Sequence, residues 1–197
     1  MVVILDYGMG NLRSVLKACE HLGHEARVQP NLEGATKVIL PGVGAFAQAM
    51  QNLAPIADDL RAWASQGQPL LGICLGQQLL FESSEEFGES KGLGILGGHV
   101  KYFPKHLGLK TPQIGWNVLE PREGSGLMQR VAPQDRVYFV HSLYTDCEDA
   151  SDAAAWTEYG LRYPSAIERG AIWATQFHPE KSGHVGLTIL ENFLKCS

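Results

Sequence analysis

The order of strand-like and helix-like patterns predicts an α/β fold: a central, mostly parallel sheet covered by helices, with an antiparallel extension. Three observations carry this reading. Over the first 82 residues, short apolar runs alternate with stretches of helical period, the pattern of repeated βα units. Beyond Gly98, strand-like runs follow one another with few helices between them. Between the two regions, Gly72-Ile73-Cys74-Leu75-Gly76 joins an apolar run directly to a helical one, as the sharp turns at the carboxyl ends of parallel strands do.

Taken in order, Val2–Leu5 reads as a buried strand. Asn11 is placed to cap a helix whose apolar positions Leu12, Val15, Leu16, Cys19 and Leu22 keep helical spacing. Ala26–Val28 and Lys37–Leu40 read as strands, the second ending in Pro41-Gly42-Val43-Gly44. Helical patterns cover Ala45–Leu53 and Ile56–Ser65, and Pro69-Leu70-Leu71 leads into the glycine-flanked turn and the helix Gln77–Glu82. In the second half the expected strands are Gly98–Phe103, Ile114–Leu119, Val137–Val140, Ala153–Thr157, Ser165–Glu168 and Ile172–Phe177. Arg169-Gly170 fits a tight turn between the last two, and a helix over Val185–Lys195 closes the chain.

With 197 residues, 45% of them hydrophobic, the chain can bury one substantial core, so residues 1–197 are read as a single domain. A net charge of −5 without a basic run excludes an electrostatic footprint for nucleic acid. No apolar stretch approaches the ~20 residues that cross a bilayer. Strand pattern begins at Val2 with no signal-peptide features, and the four cysteines show neither metal nor disulfide spacing, so a cytoplasmic location is expected.

The glycines two residues either side of Cys74 permit a turn so tight that larger side chains would collide. The turn would lift the sulfur above the sheet edge and set it at the positive end of the next helix, a position that favours thiolate. The other cysteines have plainer readings. Cys19 lies on an apolar helix stripe, Cys147 among Asp146, Glu148 and Asp149 that blunt it, and Cys196 near the end of the chain. A nucleophile needs a base, and Gln176-Phe177-His178-Pro179-Glu180 offers one. In extended chain His178 and Glu180 project to the same side, so Glu180 can orient the imidazole while its other nitrogen faces Cys74. A surface His beside a surface Glu is the plain alternative for this segment taken alone. The six other histidines lack such a carboxylate. Backbone N–H groups of Gly42, Val43 and Gly44, with that of Leu75, fit an oxyanion hole, although an ordinary glycine-rich turn has the same spacing. Gly8-Met9-Gly10-Asn11 does not make a dinucleotide loop, because Arg13 stands where the third glycine belongs.

Gly72–Gly76 together with Gln176–Glu180 resembles the triad, or class I, glutamine amidotransferases. Five further segments narrow the resemblance to the glutaminase subunits of imidazole glycerol phosphate synthases: Asp6–Asn11, Pro41–Gly44, Ile114–Asn117, Tyr138–Ser142 and His178–Gly183. They occur in the expected order over nearly the whole chain. The resemblance implies a three-layer, flavodoxin-like fold. It implies Cys74 as nucleophile, His178 as acid and base, Glu180 as its orienter, and an oxyanion hole from Leu75 and a reoriented peptide in Gly42-Val43-Gly44. It further implies Gln78 and Glu86 at the substrate's α-amino end, and Ser142 and Leu143 at its carboxylate end. It implies no cofactor and no metal. The ammonia would pass to a separate (β/α)8-barrel cyclase/synthase subunit, which makes imidazole glycerol phosphate and an aminoimidazole carboxamide ribotide in histidine biosynthesis. Such a barrel of ~250 residues does not fit in this chain. Asn11, Trp116, Tyr138 and Lys181 would face this partner in a heterodimer; a helix cap for Asn11 and core packing for Trp116 are the plain alternatives. Gln77, where methionine is usual, and Leu143, where an aromatic is usual, depart from the pattern. Three rival readings remain at this point: a paralogous glutaminase serving another synthase, a silent partner-binding module, and a thiol hydrolase acting alone on peptides or esters.

Overall fold

The computed structural model describes residues 1–196. The first half of the chain contains β1 (Val2–Leu5), α1 (Leu12–His21), β2 (Ala26–Gln29), β3 (Lys37–Gly42), α2 (Phe46–Leu53), α3 (Ala57–Ser65), β4 (Leu70–Cys74) and α4 (Leu75–Leu79). There follow the short β5 (Ser83–Ser84) and β6 (Ser90–Lys91), then β7 (Gly98–Tyr102), β8 (Gln113–Val118), β9 (Glu120–Pro121), β10 (Arg136–His141) and β11 (Leu143–Cys147). The chain closes with β12 (Ala153–Glu158), β13 (Arg162–Arg169), β14 (Ile172–Thr175), a 3-10 turn at Pro179–Lys181, and α5 (Gly183–Lys195).

An eight-stranded sheet in the order β2-β1-β3-β4-β14-β13-β12-β9 forms the centre. Its first five strands are parallel; β13, β12 and β9 continue it antiparallel. Successive side chains of a strand point to opposite faces, and a parallel sheet buries both. Accordingly Val2, Ile4, Ile39, Leu71 and Ile73 pack with Val15 and Cys19 of α1 and Ile189 and Phe193 of α5. On the other face Leu5, Val38, Leu40 and Leu70 pack with Phe46, Ala49 and Leu53 of α2 and Leu60 of α3. The result is the three-layer α/β arrangement with an antiparallel extension that the sequence predicts. The Arg169-Gly170 turn is also as expected, with Gly170 at φ 57°. Among the described residues, no helix is long and apolar enough to cross a membrane.

Several elements differ from their sequence reading. Asn11 sits at the start of α1 but makes no side-chain capping bond; its Oδ1 instead accepts from the Ser14 hydroxyl at 3.0 Å. β3 runs through Pro41 to Gly42, because both pair with β4. The helix after the elbow ends at Leu79 rather than Glu82, because the chain must turn into β5, which joins β6, β7 and β11 in a separate four-stranded sheet. Strand β11 is missing from the sequence reading, its polar Thr145 and Asp146 masking a strand that pairs with β7. β14 ends at Thr175, two residues early, since Gln176 donates to Ser165 O and His178 to Tyr138 O instead of continuing the parallel ladder.

Candidate active site

Strands β3, β4 and β14 are parallel neighbours, so their carboxyl ends meet at one edge of the sheet. There Gly42 is the register partner of Cys74, and the segment carrying His178 leaves β14 alongside. The elbow has the steric character its glycines predict. Cys74 adopts φ 56° and ψ −111°, a conformation costing about 1–3 kcal/mol that persists only where its surroundings enforce it. A Cβ on Gly76 would stand 1.8 Å from Leu40 O, and one on Gly72 would stand 2.8 Å from Gly76 O. The close packing of β3, β4 and α4 therefore requires both glycines.

The elbow opens into a cleft of about 330 Å³. Val43, Gly44, Cys74, Leu75, Gln78, Glu86, Ser142, Leu143 and His178 line it, which brings together most of the residues proposed for chemistry and substrate. Pro112, Val140 and His141 line it too, and sequence reasoning gave none of them a role. Gly42 is not in the wall. A Cβ there would meet the Tyr7 hydroxyl at 2.5 Å and Leu75 Cβ at 2.9 Å, so its place is to let β3 and α4 approach. Leu75 is the first residue of α4, so its N–H has no carbonyl within the helix to bond. Glu86 reaches the cleft with one oxygen committed: Phe46 N–H, at the start of α2, donates to its Oε2 at 2.6 Å. It thereby caps a helix that has no side-chain cap of its own.

The side chains of His178 and Glu180 are both buried, and His178 Nδ1 lies 2.8 Å from Glu180 Oε1. The pairing is as expected but its backbone is not. Glu180 reaches the imidazole from the 3-10 turn Pro179–Lys181, not from extended chain, because Pro179 begins that turn. His178 Nε2 has no hydrogen-bond partner among the described residues. The Cys74 sulfur instead has the Val140 carbonyl and Gln176 Nε2 as neighbours, each at 3.9 Å. In such sites the nucleophile–base bond often tightens only when substrate binds. Burial alone would push the His178 pKa down, but Cys74 and Glu180 outweigh it and raise it from 6.5 to about 10. The imidazole is thus held protonated through neutral pH, ready to give a proton. The stability this contributes is fully present below pH 6.5 and is lost as pH rises through about 10. Removing the carboxylate in Glu180→Gln should therefore lower the titration midpoint of the His178 imidazole, followed by NMR. An unchanged midpoint would show that Glu180 does not set its charge.

His141, by contrast, is a buried neutral group. Its Nδ1–H donates to Leu143 O at 2.6 Å, and Nε2 lies 3.1 Å from Gln113 Oε1 and 3.2 Å from the Tyr163 hydroxyl. Burial pushes its pKa down to about 4. Phe103, Phe139 and Tyr163 surround the ring, which fixes the Ser142-Leu143 wall of the cleft. Two of the other thiols are held protonated: burial, with Glu20, raises Cys19 to about 12, and burial with Asp152, Asp146 and Asp149 raises Cys147 to about 12.

The residues expected to face a partner lie beside the cleft. Trp116 is 53% exposed and Ile114 59%, so neither is a core residue, and in the antiparallel pairing of β8 with β10 they oppose Tyr138 and Val140. Trp116 and Tyr138 meet edge to face with ring centroids 6.0 Å apart. The turn carrying Lys181 packs against both α1, which Asn11 precedes, and β10.

Comparison with known proteins agrees with this geometry. Residues 3–196 match the family model described as glutamine amidotransferase class-I. The imidazole glycerol phosphate synthase subunit HisH of Syntrophotalea carbinolica is 46% identical over 203 residues, covering 98% of each chain. That of Chlorobium chlorochromatii is 49% identical over 199 residues, again covering 98% of each. A crystal structure of a glutamine amidotransferase superposes with a TM-score of 0.75 at 24% identity, covering 98% of both chains. PurLQS from Thermotoga maritima gives 0.74 at 17% identity, covering 98% of this chain and 96% of that one; at these identities the likeness shows the fold alone. The chain belongs to the class I glutamine amidotransferase family and, within it, groups with the HisH subunits of imidazole glycerol phosphate synthase.

Proposed function

We propose that residues 1–197 act as one glutaminase unit that splits glutamine into glutamate and ammonia and supplies the ammonia to a cyclase subunit in histidine biosynthesis. The observation that carries this reading is the strained Cys74 at the strand end, sharing one cleft with a His178 that is bonded to Glu180. Cys74 Sγ attacks the side-chain amide carbon. Leu75 N–H, with a reoriented Gly42-Val43-Gly44 backbone, holds the oxyanion. His178 gives its proton to the nitrogen, the C–N bond breaks, and ammonia leaves a glutamyl thioester on Cys74. His178, now neutral, takes a proton from water, and the resulting attack releases glutamate. Gln78 and Glu86 serve the α-amino end of the substrate, and the Ser142-Leu143 backbone its carboxylate end.

The partner we propose is a barrel-type cyclase subunit, docked as a heterodimer over Asn11, Trp116, Tyr138 and Lys181. The exposed apolar face of the β8–β10 pair beside the cleft supports it, since Val140 belongs to that face and also lines the cleft. Hydrogen bonds of the backbone and the Ser182 hydroxyl that link Tyr138 to His178 support a coupling of docking to chemistry. Tyr138 O accepts from His178 N at 3.1 Å, while Ser182 Oγ accepts from Tyr138 N at 2.9 Å and donates to His178 O at 2.6 Å. Glutaminase activity should be weak in the isolated chain and rise when the cyclase and its ligand are added, a population shift driven by the partner. Trp116→Ala should weaken the complex by on the order of 30-fold, as removal of a buried aromatic anchor does. Full activity in the isolated chain, or unaltered binding and stimulation of the variant, would overturn the docking and gating.

A further inference from the structure

Gln176 is fully buried one position beyond the end of β14, and its side chain reaches the nucleophile. Its Nε2 lies 3.9 Å from Cys74 Sγ, and its Oε1 accepts from Gln78 Nε2 at 3.1 Å. Which end of the Gln176 amide faces the sulfur is decided by a backbone group. Gln78 Nε2 also lies 3.4 Å from the Leu143 carbonyl. A carbonyl can only accept, so it requires the nitrogen of Gln78 on that side. That nitrogen then donates to Gln176 as well, which must offer its oxygen to Gln78 and its N–H to the sulfur. The order Leu143 O, Gln78, Gln176, Cys74 Sγ is therefore a polar relay from the cleft wall to the reacting atom.

We infer that Gln176 is a positioning residue for the nucleophile, an N–H donor held by Gln78 toward the Cys74 sulfur that stabilises its thiolate form. A hydrogen bond to the charged form of a group favours that form. The inference deepens the reading of Cys74 as nucleophile and rests on it. It also gives Gln78 a second role, because the group proposed to meet substrate is the one that orients Gln176. Substrate binding and sulfur orientation thus share one side chain.

The test is the pH dependence of Cys74 alkylation by iodoacetamide in the full chain, with the modified peptide identified by mass spectrometry. In Gln176→Leu, which has similar volume and no donor, the midpoint should rise by about one pH unit, the order of a single lost hydrogen bond to a charged group. Gln176→Glu keeps the acceptor for Gln78 but turns an oxygen toward the sulfur, and its midpoint should rise further. Turnover at neutral pH should fall in both with a larger change in kcat than in KM. Midpoints equal to the parent's in both folded variants would reduce Gln176 to packing and overturn the inference. Should the variants fail to fold, the side-chain amide resonance of Gln176 in the unaltered chain decides. It should shift with pH at the Cys74 alkylation midpoint and stay flat in Cys74→Ala; a flat resonance in the unaltered chain contradicts the inference. Failure of the underlying reading looks different, because Cys74→Ala would then still hydrolyse glutamine.

Discussion

Cys74→Ala should lower glutamine hydrolysis by on the order of 10⁴- to 10⁶-fold, the range seen when a triad nucleophile is removed, while leaving the fold intact. The size follows from the reaction, in which no bond to the glutamyl carbon can form once the sulfur is gone. His178, deprived of one of the two groups that hold it at about 10, would titrate lower as well. The cleft remains, and so does the β8–β10 face, so a complex with the cyclase subunit should still carry out synthesis when given ammonia directly. Activity on ammonia but not on glutamine separates loss of the nucleophile from loss of structure. Hydrolysis at the parental rate would instead remove Cys74 from the mechanism.

The largest expected effect on stability lies two residues further on. In Gly76→Ala the new methyl would sit 1.8 Å from Leu40 O and 2.8 Å from Leu40 C. Both are backbone atoms of β3 in the middle of the sheet, and neither can swing aside as a side-chain tip would. Either α4 moves away from β3, taking Leu75 N–H and the Cys74 geometry with it, or β3 is displaced from its two neighbours. Overpacking a close-packed interior commonly costs about 1–3 kcal/mol, and a contact with rigid backbone at this distance should exceed that range. Gly23→Ala is a useful contrast. Among the described residues nothing lies within 4 Å of a Cβ there, so only its φ of 78° resists the change, at a cost of about 1 kcal/mol. Urea midpoints of the two variants should therefore differ widely. Similar midpoints would mean that the elbow is looser than its contacts imply.

The parallel half of the fold was legible because its signals are local. Val2–Leu5 is apolar throughout, α1 keeps a clean helical stripe, and the glycines around Cys74 announce the turn. The antiparallel half was read more coarsely. Strand β11 carries polar residues that find partners on elements distant in sequence, as Thr145 does with Gln77 of α4 at 3.1 Å and Pro164 O of β13 at 3.3 Å. The pairing of His178 with Glu180 could be read from their spacing, although the 3-10 turn that delivers Glu180 could not. His141 and Gln176 were missed as contributors for a common reason. Their roles depend on partners distant along the chain, Gln113 and Tyr163 for His141 and Gln78 and Cys74 for Gln176. Glu86 illustrates the opposite case, a residue assigned by resemblance to substrate that also caps α2.

The most direct measurement is to quench the chain with acid while it turns over glutamine in the presence of its cyclase partner, then map the peptides by mass spectrometry. A thioester mechanism predicts a mass gain of one glutamyl group on the peptide that carries Cys74, lost on treatment with hydroxylamine and absent from Cys74→Ala. A glutamyl group on another residue during turnover would contradict the assignment, as would undiminished ammonia production by a chain whose Cys74 has been alkylated to completion.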